Sequence, residues 1–198
     1  MEMLPRPSRH PHSVPTPGWA GGFSVIELMT VLVVASVLVT LAAPSFRDLM
    51  LDNRRTAAIN ALIASLQDAR MESVKRGARV VLCKSSDGAS CSTDDAVTWR
   101  SGWLVFVDTD ADGTLDDAEK PVIRIEGAIS GDTAAAFKGN DNVKNKLIYR
   151  PGGDVAQVGT ITYCDTRGAS KARAVIIASN GRPRSSDKAA DGSALSCP

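Results

Sequence analysis

Histidine is almost missing. The chain has two, His10 and His12, and both precede a long apolar run. Once the residues up to Gly22 are removed none remains, which excludes imidazole-based acid–base work and His-containing triads. No other organised nucleophile is visible, so the chain reads as no enzyme. Cysteine is scarce too: Cys83, Cys91, Cys164 and Cys197, with no C-x-x-C pair and no histidine to complete a mixed zinc site. Four cysteines allow three disulfide pairings. The economical one joins Cys83 to Cys91 around "KSSDGAS" and Cys164 to Cys197.

An excess of charge of one sign is also absent, the net charge being +1. Its distribution is uneven. Residues 87–132 carry 11 acidic against 3 basic side chains, a balance of −8; residues 138–188 carry 10 basic against 4 acidic, a balance of +6. Such asymmetry bears on partners rather than on fold.

One apolar run dominates what is present. The first 20 residues, "MEMLPRPSRHPHSVPTPGWA", contain five prolines and cannot hold a helix. A secretory signal places its apolar stretch before the cut; here the stretch follows Gly21-Gly22 and would stay on the mature chain. Residues 23–43 as a helix rise roughly 31 Å at about 1.5 Å each. That matches a hydrocarbon core of about 30 Å, so the segment reads as a membrane span. Arg6 and Arg9 before it and Arg47, Arg54 and Arg55 after it leave its orientation open. Glu27 is the one charge inside, and a lone carboxylate at a helix centre costs about 2.5–3.5 kcal/mol.

Beyond Pro44 the helical spacing continues through Ile59, Leu62, Ile63, Leu66 and Val74 and should stop near Gly77. Six β-rich runs follow: 79–83, 102–107, 121–125, 146–150, 159–164 and 173–178. No internal repeat is visible. The fold class is α+β, a long helix packed on a mainly antiparallel sheet. The boundaries are a leader at 1–22, a membrane half at 23–50, an amphipathic half at 51–77 and a β-rich head at 78–198. Residues 138–145 are expected to form a mobile loop.

The residues now carry a resemblance. Gly22-Phe23-Ser24-Val25-Ile26-Glu27-Leu28 resembles the prepilin signal of type IV pilins and type II secretion pseudopilins. The resemblance implies a pilin-like fold, cleavage by prepilin peptidase between Gly22 and Phe23, and N-methylation of Phe23. It makes Glu27 the glutamate at the fifth mature position and Pro44 the helix-kinking proline that pilins often carry. A carboxylate and a new amine on staggered neighbouring subunits offset each other's desolvation, which gives Glu27 a use in a filament. "LCKSSDGASC", "WRSGWLVFVDTDADGTLDDAE", "YCDTRG" and "IIASNGRPR" together resemble the FimT/FimU branch that also includes the H-type pseudopilin. The implied partners are other pilins and the peptidase. The implied location is the inner membrane, single-pass, with the head in the periplasm, or outside the cell within a pilus.

Two candidate sites remain. Asp108, Asp110, Asp112, Thr114, Asp116 and Glu119 stand at the offsets of an EF-hand loop, with calcium as the cation; no other cofactor is implied. The flanks read as strands, however, which favours a solvated loop held by Asx turns. The second site is "NGRPRSSDK". In an extended chain Arg182 and Arg184 point to one side, as two guanidiniums suited to adjacent phosphates. Gly181, Arg182 and Arg184 match the G-R-x-R element of DNA-binding FimT-type pilins, and Lys171, Arg173, Lys188 and Arg167 extend the basic patch. With no aromatic between the arginines, binding to DNA should be sequence-blind and salt-sensitive. The expected function is therefore a minor pilin binding DNA during uptake. The alternatives are a structural or priming minor pilin and a minor pseudopilin of type II secretion.

Overall fold

The computed structural model describes residues 22–117, 122–132 and 134–197. The leader residues 1–21 and Glu119 lie outside that set. The chain divides into two compact units, one ending at Ser45 and one beginning at Phe46. Helix α1, Val25–Arg76, passes through both.

In the first unit the backbone satisfies itself. Ser24 caps the helix start, its Oγ accepting the Glu27 N–H at 3.2 Å. Thr30, Ser36 and Thr40 turn their hydroxyls back onto the carbonyls of Glu27, Val33 and Val37 at 2.8–2.9 Å. These three hydroxyls bond to their own helix and so need no water, as a lipid environment requires; the Glu27 carboxylate is the exception. No residue from 22 to 50 is buried, and the helix holds a window of mean hydropathy 2.5.

The second unit has its own core. Along α1 the buried residues Leu51, Ala58, Ile59, Leu62, Ser65, Leu66, Ala69 and Ser73 recur on one face. The helix ends as expected at Gly77, whose φ of +60° suits a residue without a Cβ. Ala78 N–H donates to the Ser73 carbonyl and Gly77 N–H to that of Val74, the paired bonds of a Schellman stop.

The strands are β1 Arg79–Lys84, β2 Trp103–Asp108, β3 Arg124–Glu126, β4 Ala136–Gly139, β5 Lys146–Tyr149, β6 Gly159–Cys164, β7 Arg173–Ile177 and β8 Pro183–Ser186. They form two antiparallel sheets, ordered β3-β2-β1-β5 and β4-β6-β7-β8, where the sequence suggested one. Trp103 meets Phe137 edge to face across the two sheets, with centroids 6.5 Å apart, and Phe137 meets its cross-strand partner Tyr163 in the same way at 5.5 Å. Trp103 also donates its Nε1–H to Ser65 of α1 at 2.9 Å.

Each sheet turns its other face to a smaller apolar cluster beneath a disulfide-closed segment. Val81, Cys83, Leu104, Phe106 and Ile148 lie with Cys91, which is bonded to Cys83. Ala174, Ile176 and Leu195 lie with Cys164, which is bonded to Cys197. The economical pairing is the one present. The stretch 138–145 is not a mobile loop. It contributes the end of β4 and a 3-10 turn at Asp141–Val143, because Val143 is fully buried and its carbonyl accepts the Trp99 Nε1–H at 3.0 Å. β8, absent from the six expected runs, is the other addition.

Candidate functional site

Gly22 and Phe23 are exposed and precede the first helical residue, Val25. One turn further on, the Glu27 carboxylate has no partner among the described residues, although its backbone N–H is capped. Gly22, Phe23 and Glu27 therefore sit together on one accessible end.

The acidic loop is held by its own chain. Asp108, at the end of β2, has a fully buried side chain; its Oδ2 lies 3.0 Å from Arg79 Nη2, an ion pair rather than an aligned hydrogen bond. Asp108 Oδ1 accepts the Gly113 N–H, Asp110 Oδ1 that of Asp112, and Asp112 Oδ1 that of Thr114. The last two are Asx turns, and the first spans the whole loop. Arg79 also donates to the Ala111 carbonyl at 2.8 Å and Lys146 to that of Gly113 at 2.9 Å. Asp108, Asp110 and Asp112 converge within 4.8 Å; Thr114 and Asp116 are exposed, and Glu119 is outside the described residues. Two basic side chains thus occupy the loop from one side.

The basic end is organised by a turn. Gly181 N–H donates to the Ala178 carbonyl at 2.9 Å, and Asn180 Oδ1 accepts the Arg182 N–H at 3.1 Å. Arg184 opens onto the sheet's outer face, because it pairs with Ile176 while Val175 and Ile177 face the main core. Arg182 lies in the turn before β8, where alternation does not hold, and lines a cleft with Pro183 and α1 residues. Its side relative to Arg184 is therefore set by the turn and not by strand period. Arg182, Arg184, Lys188, Arg173 and Lys171 are exposed, and none makes a side-chain ion pair among the described residues.

Arg167 differs. It donates Nε and Nη2 to Asp165 at 3.1 and 2.7 Å and Nη2 to Asp52 of α1 at 2.8 Å. Asp52 also pairs with Arg55 at 3.0 Å, and Arg55 donates to the Lys171 carbonyl. The hydrogen bond from Arg167 holds the Asp52 carboxyl below its usual range. At Asp165 burial pushes the carboxyl up, and the bonds and charge of Arg167 more than reverse it. Arg167 is a clasp between α1 and the β6–β7 connection, not part of a free basic surface.

Sequence reasoning missed Arg70. It lies half-buried on α1 and donates its Nε–H to the carbonyls of Gly153 and Asn180 at 3.0 and 3.3 Å. Its signal, an arginine beside the buried helix stripe, is common enough to pass unnoticed.

The family model described as type II transport protein GspH matches residues 58–181, ending one residue before Arg182. The type IV minor pilin FimU of Pseudomonas aeruginosa is similar in structure, with a TM-score of 0.52 at 19% identity over 69% of this chain and 90% of that one. A second crystal form of it aligns at 0.48 and 18% identity over 66% and 91%. Among curated proteins none matches the chain. At such identity the FimU likeness speaks to the fold: a long helix with antiparallel sheets.

Proposed function

The chain belongs to the GspH family, that of the type II transport protein, and from this membership we propose that it is a filament subunit, a minor type IV pilin that also contacts DNA. One observation carries the reading. The first half of a 52-residue helix is apolar and wholly unburied, with a single unpartnered carboxylate near its start. Such a surface serves an environment outside its own unit. Membrane anchoring before assembly and helix packing after it are the two that fit.

In this reading prepilin peptidase cuts between Gly22 and Phe23 and methylates the Phe23 amine. The amine of one protomer pairs with Glu27 of another in a low-dielectric filament interior. The head stands in the periplasm and, once assembled, outside the cell. The role is structural and needs no cofactor. Mass spectrometry of the native chain tests it: the expected product begins at Phe23 and carries one added methyl group. A chain retaining its first 22 residues would overturn the assignment. Glu27→Val should insert into membrane normally yet fail to enter filaments.

DNA contact rests on the exposed cations Arg182, Arg184, Lys171, Arg173 and Lys188 around β7 and β8, which make no ion pair among the described residues. Without interleaved aromatics the contact is electrostatic, so affinity should fall linearly in log–log with salt. A second reading, a minor pseudopilin of a type II secretion machine, is favoured by the description of the matched family. It shares the processing but predicts loss of protein export, rather than of DNA uptake, when the chain is deleted.

A further inference from the structure

The turn that carries Arg182 packs against α1, and the contact brings a second guanidinium to its side. Arg70 and Arg182 line one open cleft of about 380 Å³ together with Gln67, Met71 and Pro183. Arg70 uses Nε to hold the carbonyls of Gly153 and Asn180, and its two terminal amino groups have no partner among the described residues. Among the described residues no carboxylate lines the cleft, and neither arginine makes a side-chain ion pair.

The walls are fixed. The buried Tyr149 donates its hydroxyl to the Gly181 carbonyl at 3.0 Å. Gly181 has a φ of +74°, and a Cβ there would overlap the Gly153 carbonyl oxygen. A guanidinium anchored at Nε keeps its outer N–H pairs in a set direction, so little freedom is lost when an oxyanion is gripped. Two cations facing the same small volume repel until an anion sits between them.

We infer that this cleft is an oxyanion site in which Arg70 and Arg182 hold one and the same phosphate. The inference rests on the nucleic-acid reading for the source of that phosphate, a single strand lying along β8, with Arg184 serving a different phosphate on the outer face. Free inorganic phosphate offers the same chemistry.

The test uses the full chain in detergent, with the arginine Nε–H signals followed by NMR and assigned by their loss in the glutamine variants. Inorganic phosphate and a short oligothymidylate are titrated separately. Arg70 and Arg182 should shift together on one binding curve, and Arg182→Gln should weaken the phosphate response of Arg70 roughly tenfold, about 1.4 kcal/mol. For the oligonucleotide, Arg70→Gln should reduce the salt slope by about 0.7, the value for one phosphate of a single strand. The Arg70→Gln/Arg182→Gln double variant should reduce it no further. Tyr149→Phe loosens the same turn without removing charge and should leave the slope unchanged; a slope loss equal to that of Arg70→Gln would make Arg70 merely a brace and overturn the inference. A still Arg70 signal while Arg182 moves also overturns it, as does stillness of both with phosphate and with the oligonucleotide alike. Movement with phosphate but not with the oligonucleotide leaves the cleft standing and removes the DNA reading. Oligonucleotide binding that leaves Arg70 unmoved does the reverse.

Discussion

Apolar sequence has two fates in this chain. From Phe23 to Met50 not one residue is buried, although the stretch holds the highest hydropathy of the molecule. In the head, shorter apolar runs such as those of β1 and β7 are buried almost completely. The difference lies in which partner covers the side chains. A strand must borrow hydrogen bonds from neighbours and so brings its own cover with it, whereas a helix closes its bonds internally and can leave its sides to lipid or to another subunit. The sharpest way to break the comparison is a matched pair of truncations. Leu62→Ala, at a fully buried position in the main core, should destabilise the head by about 2–5 kcal/mol. Leu38→Ala, on the bare half of the same helix, should leave thermal unfolding of the head unchanged. Equal losses in near-UV circular dichroism melts of the full chain would refute the division.

A second contrast lies among the arginines. Arg167 is largely buried against Asp165, whose side chain is almost fully buried, and against Asp52, while Arg182 and Arg184 are exposed and make no ion pair among the described residues. Arg167→Gln leaves the Asp165 carboxylate without its cation and should cost about 1–3 kcal/mol at neutral pH. Arg184→Gln should stay within about 0.5 kcal/mol. The pH dependence gives the sign. Asp165 and Asp52 have folded-state values below their unfolded ones, so their contribution is fully present above about pH 4 and is lost as pH falls through the depressed values. The gap between wild type and Arg167→Gln should therefore be wide at pH 7 and close in acid. A gap independent of pH would mean that Arg167 acts through packing alone.

The helix, its stop at Gly77, most of the strand positions and the disulfide partners were legible because each leaves a local mark: period, glycine, β-branched run, loop length. The split into two sheets was not, since β4 and β8 read as "AFKG" and "PRSS", with too few apolar residues to declare strands. They are strands because β6 and β7 offer them edges. The site shows the same limit. Arg182 and Arg184 stand out in a short motif, but the binding of Arg167 by Asp52, and the approach of Arg70 to Asn180, join residues more than 100 positions apart. Only tertiary contact reveals which arginines are occupied.

The smallest effect concerns the acidic loop, where pattern and packing disagree. The spacing of Asp108, Asp110 and Asp112 matches a calcium loop, and their oxygens do converge. Yet the innermost of them, Asp108, already faces Arg79 at 3.0 Å, and the guanidinium continues to the Ala111 carbonyl within the loop. A calcium ion entering there would have to displace or tolerate a neighbouring cation at close range, and at 4 Å two unit charges repel by about 4 kcal/mol even at an effective dielectric near 20. Millimolar calcium should therefore leave the melting temperature of the wild-type chain unchanged. In Arg79→Ala the same carboxylates lose their internal cation, and calcium should then raise the melting temperature, since a ligand at 100 times its Kd adds about 2.7 kcal/mol. A calcium-dependent rise already present in the wild type would show that the loop binds metal with Arg79 in place, and that the offsets of the aspartates outweigh the charge of the arginine beside them.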